Sequence, residues 1–250
     1  TKVYARVSPE HKVRIISAAL GMPLILGAVY AGGFWYGLLI LLLSNLGLHE
    51  YIEIYRNFGY TPPAISAYLG TSAVMAIIYL GRADLIYPVI TGLFIVLSVE
   101  VLARFGKSSV LEAALALWGM MYLGGLGGYL LLIRFLPRGI SATCLLLLNV
   151  WSYDTCAYFA GINWGRHKLA PKISPQKSVE GVLAGGLGAI LASVVAVWLF
   201  PHYLAPLTTG LAVLLGLGVS IFSQLGDLLE SAIKRQTLVK DSGRLIPGHG

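Results

Sequence analysis

Residues 231–250 read SAIKRQTLVKDSGRLIPGHG and gather charge, glycine and one histidine at the end of an otherwise apolar sequence. Lys234, Arg235, Lys240 and Arg244 stand close in sequence to Asp227 and Asp241, and Pro247, Gly248 and Gly250 bend the chain around His249. Carboxylates hold hard divalent cations, and Lys and Arg meet phosphate oxygens, so these groups suit phosphate and metal chemistry. Asp227 lies in SQLGDLLESAIKR, where Ser223, Asp227, Glu230, Ser231 and Lys234 recur at three- and four-residue spacing and form one polar stripe on a helix. Two readings follow: a snorkelling helix end with internal salt bridges, or a carboxylate that holds a divalent metal with cations beyond it to meet phosphates.

A second cluster begins at Asp154, in NVWSYDTCAYFAGINWG near the end of another apolar run. An acid facing lipid is costly, so both Asp154 and Asp227 should face protein, and their similar depth suggests one shared site. Residues 165–181 (GRHKLAPKISPQKSVEG) follow, with Arg166, Lys168, Lys172 and Lys177 interleaved with Pro171, Pro175, Ser174 and Ser178. Prolines stiffen such a loop, its cations can meet a polyphosphate, and its serines can donate hydrogen bonds. A basic loop alone most often reports membrane topology; beside Asp154 the functional reading gains weight. A third stripe, Asn45, His49 and Glu53 with Glu50 beside them, either lines the same cavity or, more commonly for such patterns, caps a helix end. His249 can ligate metal, contact phosphate or simply occupy a turn.

These residues must be positioned by a membrane scaffold. The chain has 250 residues, 57% hydrophobic and 12% charged, against roughly 25% charged in a soluble domain. Windows of about 20 residues are apolar on all sides, the length that crosses a bilayer as a helix with every backbone group satisfied. About eight such spans are expected, near 13–31, 33–50, 64–80, 85–103, 110–133, 140–160, 180–200 and 206–226. With a cytoplasmic N-terminus, all of the 18 Lys and Arg except Arg82, Arg134 and Arg138 fall on cytoplasmic segments. The net charge of +7 is therefore a topology signal first, and no nucleic-acid partner is expected.

The expected organisation is a single polytopic domain over residues 1–250, all α. Residues 1–12 form an interfacial segment, 161–179 a cytoplasmic basic loop and 228–250 a cytoplasmic signature segment. The first span runs directly into another and lacks a small-residue cleavage site, so it reads as retained rather than as a signal peptide. No internal repeat is visible, which weighs against repeat-built transporter folds. YLGGLGGY at 122–129 and AGGLG at 184–188 read as close helix packing. Cys144 and Cys156, twelve residues and so about 18 Å apart on one helix, cannot bridge and read as packing residues.

Two blocks carry a resemblance to a known family. The C-terminal S-x-I-K-R, four residues, K-D-x-G-x-x-I-P-x-H-G closely resembles the signature of phosphatidate cytidylyltransferase, also called CDP-diacylglycerol synthase. Asp154, Thr155, Cys156, Ala157 and Tyr158, then Lys168 to Lys172, Ser174, Pro175, Lys177, Ser178, Glu180 and Gly181, resemble that family's D-[ST]-x-A-Y element and its basic loop.

The resemblance implies a magnesium-dependent enzyme, with one metal ion or two in the same site, that joins CTP and phosphatidic acid into CDP-diacylglycerol and pyrophosphate. It implies Asp227, Asp241 and Asp154 as metal carboxylates. Lys234, Arg235, Lys240 and His249 then belong to the catalytic set, and Lys168, Lys172, Ser174, Lys177, Ser178, Tyr158 and Arg244 to the substrate contacts. It also implies a multi-pass protein of a bacterial inner membrane, with its site facing the cytoplasm and membrane lipid around it; a homodimer is an expectation no residue argues for. The family pattern continues past the H-G pair into a glycine, an acidic D-R element and a ninth span. Two rival readings are a CTP-dependent lipid or polyprenol kinase and a membrane transporter.

Overall fold

The computed structural model describes residues 9–106 and 109–237. Lys240, Asp241, Arg244 and His249, and most of the expected 1–12 interfacial segment, fall outside the described residues. The chain is nearly all helix: α1 (Pro9–Ala31), α2 (Gly33–Asn57), α3 (Ala64–Tyr79), α4 (Ile86–Ala103), α5 (Val110–Gly119), a π-helical turn Met120–Gly125, α6 (Leu126–Phe135), α7 (Gly139–Trp164), α8 (Val179–Leu199), α9 (Pro201–Leu204) and α10 (Thr209–Gln236). A helix lies over each of the eight expected spans. Among the described residues, five stretches are long and apolar enough to cross a membrane: α2, α4, the continuous Val110–Phe135, α8 and α10. The all-α membrane architecture therefore holds at the level of these five. α7, though 26 residues long, is interrupted by Asn149, Ser152, Asp154 and Thr155, and α3 is shorter, at 16 residues.

The chain divides into two compact units, the first running to Leu132 and the second comprising Ile133–Gln236. In the first, α3 packs against α2, α4, α5 and the π-helical turn. Glycine permits the closeness: a Cβ on Gly119 would stand 2.8 Å from the Tyr51 ring, and one on Gly124 3.2 Å from the Thr71 backbone. The entry to α2 turns through Gly32 and Gly33 at φ 63° and 43°, which side-chain-bearing residues rarely adopt. The start of α5 is a capping box: Ser109 Oγ accepts from the Glu112 amide, and the Glu112 carboxylate accepts from the Ser109 amide. Glu112, 7% exposed, also accepts from the Thr61 amide at 2.6 Å and the Thr61 hydroxyl at 2.8 Å, pinning the loop between α2 and α3.

The second unit is a three-helix core of α7, α8 and α10. Its packing inverts the soluble pattern. α8 turns Gly181, Gly185, Ala189 and Ser193 inward, and leaves Leu183, Leu187, Leu191 and Trp198 outward with exposures of 62% to 68%. A large apolar outer face over small residues at the contact is what a helix bundle in lipid presents, because lipid does not penalise exposed leucine and close approach supplies the packing. The small-residue reading of 184–188 is borne out: a Cβ on Gly185 would meet the Tyr153 ring at 2.8 Å and Ala157 Cβ at 3.0 Å. Ser193 Oγ donates to Asn149 Oδ1 at 2.8 Å, and Asn149 Nδ2 donates to the Leu145 carbonyl at 2.8 Å, so this fully buried amide is satisfied. Both cysteines are free.

One element differs from expectation. The basic loop contains an antiparallel hairpin, β1 (Lys168–Ala170) and β2 (Ser174–Ser178), with Lys168 opposite Ser178 and Ala170 opposite Ser174. Pro171 stands in its turn, and Pro175 lies on a strand with no second neighbour, where a missing N–H is tolerated. Helix α10 runs on past the apolar stretch to Gln236, so the stripe from Ser223 to Lys234 lies on one helix, as its spacing suggested.

Candidate active site

Tyr153, Asp154, Ala157 and Tyr158 of α7, Lys168, Gln176 and Lys177 of the hairpin, Ser178 and Gly181 at the start of α8, and Gln224 and Asp227 of α10 line one cavity of about 610 Å³. Asp154 and Asp227 thus come to a single cavity, as their depth suggested. Asp154 reaches it from just past the middle of α7; Asp227 reaches it three residues after Gln224, one turn further along α10.

The hairpin delivers the cation. Lys177 Nζ lies 2.8 Å from Asp227 Oδ2, with side-chain exposures of 23% and 50%. The hairpin is held at its base, where the Val179 amide donates to the His167 carbonyl at 2.9 Å and His167 Nδ1 lies 2.6 Å from Glu180 Oε1. At its tip, Arg235 Nε donates to the Ile173 carbonyl at 3.2 Å. Ser178 is the N-cap of α8: it accepts the Gly181 amide at 3.2 Å and is 3% exposed. It therefore borders the cavity as a structural residue of the strand-to-helix junction. Lys234 pairs with Glu230 at 2.8 Å. Lys172, in the exposed hairpin turn, and Ser174, in the ladder opposite Ala170, do not line the cavity.

The Asn45, His49, Glu53 stripe is taken up locally in the first unit. His49 Nδ1 lies 2.9 Å from the Tyr68 hydroxyl, Asn45 Nδ2 donates to the Leu41 carbonyl at 2.9 Å, and Glu53 pairs with Arg56 at 2.6 Å. Among the cavity residues with no counterpart in the sequence candidates are Gln176 and the pair Tyr153 and Gln224. Tyr153 directs its hydroxyl to Gln224 Oε1 at 2.8 Å. Adjacency to Asp154, and the turn separating Gln224 from Asp227, are the signals that could have found that pair.

Among the described residues no three His, Cys, Asp or Glu side chains gather closely enough to make a metal cage. The two carboxylates still fit magnesium, which is commonly held by one or two carboxylates while water and substrate phosphates complete its shell. A cavity with two acids, a lysine on one of them and a basic hairpin at its edge is suited to holding phosphates with their counter-charge.

Membrane-capable helices around a cavity that gathers two acids and a lysine define an all-α membrane protein with a charged cavity. Residues 12–250 match the cytidylyltransferase family. The chain is 32% identical over 269 residues to the phosphatidate cytidylyltransferase of Synechocystis sp. (strain ATCC 27184 / PCC 6803 / Kazusa), covering 95% of this chain and 88% of that one. It is 34% identical over 242 residues to that of Staphylococcus saprophyticus subsp. saprophyticus, covering 96% and 91%, and 33% identical over 244 residues to that of Staphylococcus aureus (strain COL), again covering 96% and 91%. The chain belongs to the cytidylyltransferase family.

Proposed function

We propose that this protein is a phosphatidate cytidylyltransferase that converts CTP and phosphatidic acid to CDP-diacylglycerol and pyrophosphate. The observation that carries the reading is the convergence of Asp154, Asp227 and Lys177 on one cavity of the second unit, in a chain similar along its length to proteins of that name. An oxygen of the lipid phosphate attacks the α-phosphorus of CTP, the bond from that phosphorus to the β-phosphate bridge breaks, and the electron pair leaves with pyrophosphate. No side-chain nucleophile is needed. The difficulty is charge: two polyanions must approach each other, so catalysis is mainly positioning and electrostatic stabilisation.

Lys177 stands where a cation can meet a phosphate of the nucleotide, held on station by Asp227. Lys168 on the facing strand adds a second cation at the cavity, and Tyr158 an exposed phenol at its border. Asp154 and Asp227, with Asp241, are the carboxylates that would hold magnesium, which when bound neutralises phosphate charge. The apolar outer faces of α8 and α10 let acyl chains approach from the bilayer side. All eight long helices cross the membrane in this reading, with the N-terminus and the site on the cytoplasmic face of a bacterial inner membrane, where the charge distribution puts them. Arg244, Lys240, Lys234, Arg235, Lys172 and Ser174 remain assigned to the phosphates, and His249 to the catalytic set, through the two motif blocks they belong to.

The test is purified protein in detergent with CTP, magnesium and phosphatidic acid, following pyrophosphate release and identifying the lipid. CDP-diacylglycerol with pyrophosphate is expected. CDP with a newly phosphorylated lipid when alcohols are offered would replace this reading with a kinase.

A further inference from the structure

One polar group in the cavity has nothing to bind. Gln224 lines the same space as Asp154 and Asp227, and its Oε1 accepts the Tyr153 hydroxyl at 2.8 Å. Tyr153 is 1% exposed, so the ring that carries this hydroxyl is fixed by packing against Gly185 and its neighbours. Gln224 Nε2 is shut off from solvent and has no hydrogen-bond partner among the described residues. Neither cavity carboxylate takes its N–H groups. Turning the amide over does not remove the deficit, because Nε2 would then donate to the hydroxyl and Oε1 would be orphaned. An unmet buried amide is costly, because nothing replaces the water it has lost. Native interiors rarely carry such a group without a reason.

We propose that Gln224 is a substrate ligand whose N–H groups donate to an oxygen of a phosphate ester bound in this cavity, with Tyr153 as the positioning residue that turns the amide to face it. This rests on the nucleotidyl-transfer reading of the cavity. Both substrates of that reaction are phosphate esters rich in acceptor oxygens, so the nitrogen end of the amide is the end they need. A neutral donor serves here in a way another cation does not: it holds an oxygen without being captured by Asp154 or Asp227 as a salt bridge. By occupying Oε1, Tyr153 leaves the two N–H groups as the amide's unpaired end. The oxygen belongs either to CTP or to phosphatidic acid.

The experiment compares wild type with Gln224→Met, which keeps the length and removes the donors, and with Tyr153→Phe, which removes the positioning bond alone. Turnover is measured with CTP and phosphatidic acid varied separately, and thermal melting with and without each. Gln224→Met should lose about tenfold in kcat/KM for one substrate and shrink the melting shift that substrate gives. Melting of the unliganded protein should stay the same or rise, because the orphaned amide is gone. Tyr153→Phe should show a smaller loss in the same parameter. A loss confined to CTP places the oxygen on the nucleotide; a loss confined to phosphatidic acid places it on the lipid. If both kcat/KM values stay within about twofold of wild type, the ligand role is wrong. A lower unliganded melting temperature with both ligand shifts intact also overturns it, since the amide then has an internal partner. If wild type makes no CDP-diacylglycerol but CTP raises its melting temperature and Gln224→Met abolishes that rise, the reaction assignment fails while the ligand role stands.

Discussion

Replacing Lys177 with methionine separates what its ion pair does for the fold from what its charge does for the reaction. Methionine keeps an apolar stem of similar length along the cavity wall and removes only the ammonium. The structural contribution is small for a stated reason. Nζ is 2.8 Å from Asp227 Oδ2, but the Asp227 side chain is 50% exposed and Lys177 is 23% exposed, so water screens the pair and hydrates the carboxylate left behind. A fully buried pair broken on one side costs about 3–5 kcal/mol; an exposed pair contributes about 0–1 kcal/mol. This half-exposed pair belongs near the upper end of the exposed range, about 1 kcal/mol, which for a chain of this size lowers the melting temperature by about 2–4 °C. The catalytic contribution is larger, because charge develops on phosphate oxygens in a cavity that offers few other cations. Removing one preorganised electrostatic partner of a transition state costs about 10²–10³ in kcat.

The assay is CDP-diacylglycerol formation at saturating substrates, with melting followed on the same preparation. Lys177→Met should therefore melt within a few degrees of wild type and turn over about a hundredfold more slowly. Lys177→Arg, which keeps the charge but forks it differently, should recover part of that loss. A methionine variant that keeps more than about a tenth of wild-type kcat would refute the placement of Lys177 at the reacting phosphates. A variant that unfolds would refute the screening argument.

Asp227→Asn should keep the fold and abolish turnover; substantial activity with magnesium would remove Asp227 from the metal role. Chelation with EDTA should stop CDP-diacylglycerol synthesis and added magnesium should restore it, whereas undiminished activity in EDTA would exclude a divalent requirement. Gly185→Ala puts a Cβ 2.8 Å from the Tyr153 ring; overpacking of this kind costs about 1–3 kcal/mol, so melting should fall, and activity with it as α7 and α8 separate. Equal melting of wild type and variant would show that the helix contact has slack. Glu112→Ala leaves the Thr61 and Ser109 amides without their acceptor. It should lower stability by about 2–4 kcal/mol without changing the KM for CTP, read from melting and steady-state kinetics.

How much of this was legible in the sequence depended on the range of the signal. Helices over the eight apolar segments follow from a composition that leaves the backbone no other partner. Asp154 and Asp227 could be brought to one place because each closes an apolar run at the same depth. The hairpin was not legible: strands of three and five residues are too short to show alternation, and Pro171 and Pro175 read as loop punctuation until the ladder shows one proline in a turn and the other on a strand with a free edge. Glu112 had a readable signal in S-V-L-E, the capping-box spacing from Ser109, but its hold on Thr61 joins residues 51 apart and no local pattern reports that. Gln224 is the hardest case. Its spacing from Asp227 places it on the right face of α10, yet the same spacing describes any core glutamine. What distinguishes it is a tyrosine on another helix that takes one end of its amide and leaves the other unmet, a relation that exists only once α7 and α10 are folded around the same cavity. Residues that bear charge at an apolar helix end announce themselves by cost; residues that complete a site by hydrogen-bond geometry become visible only through the partner they lack.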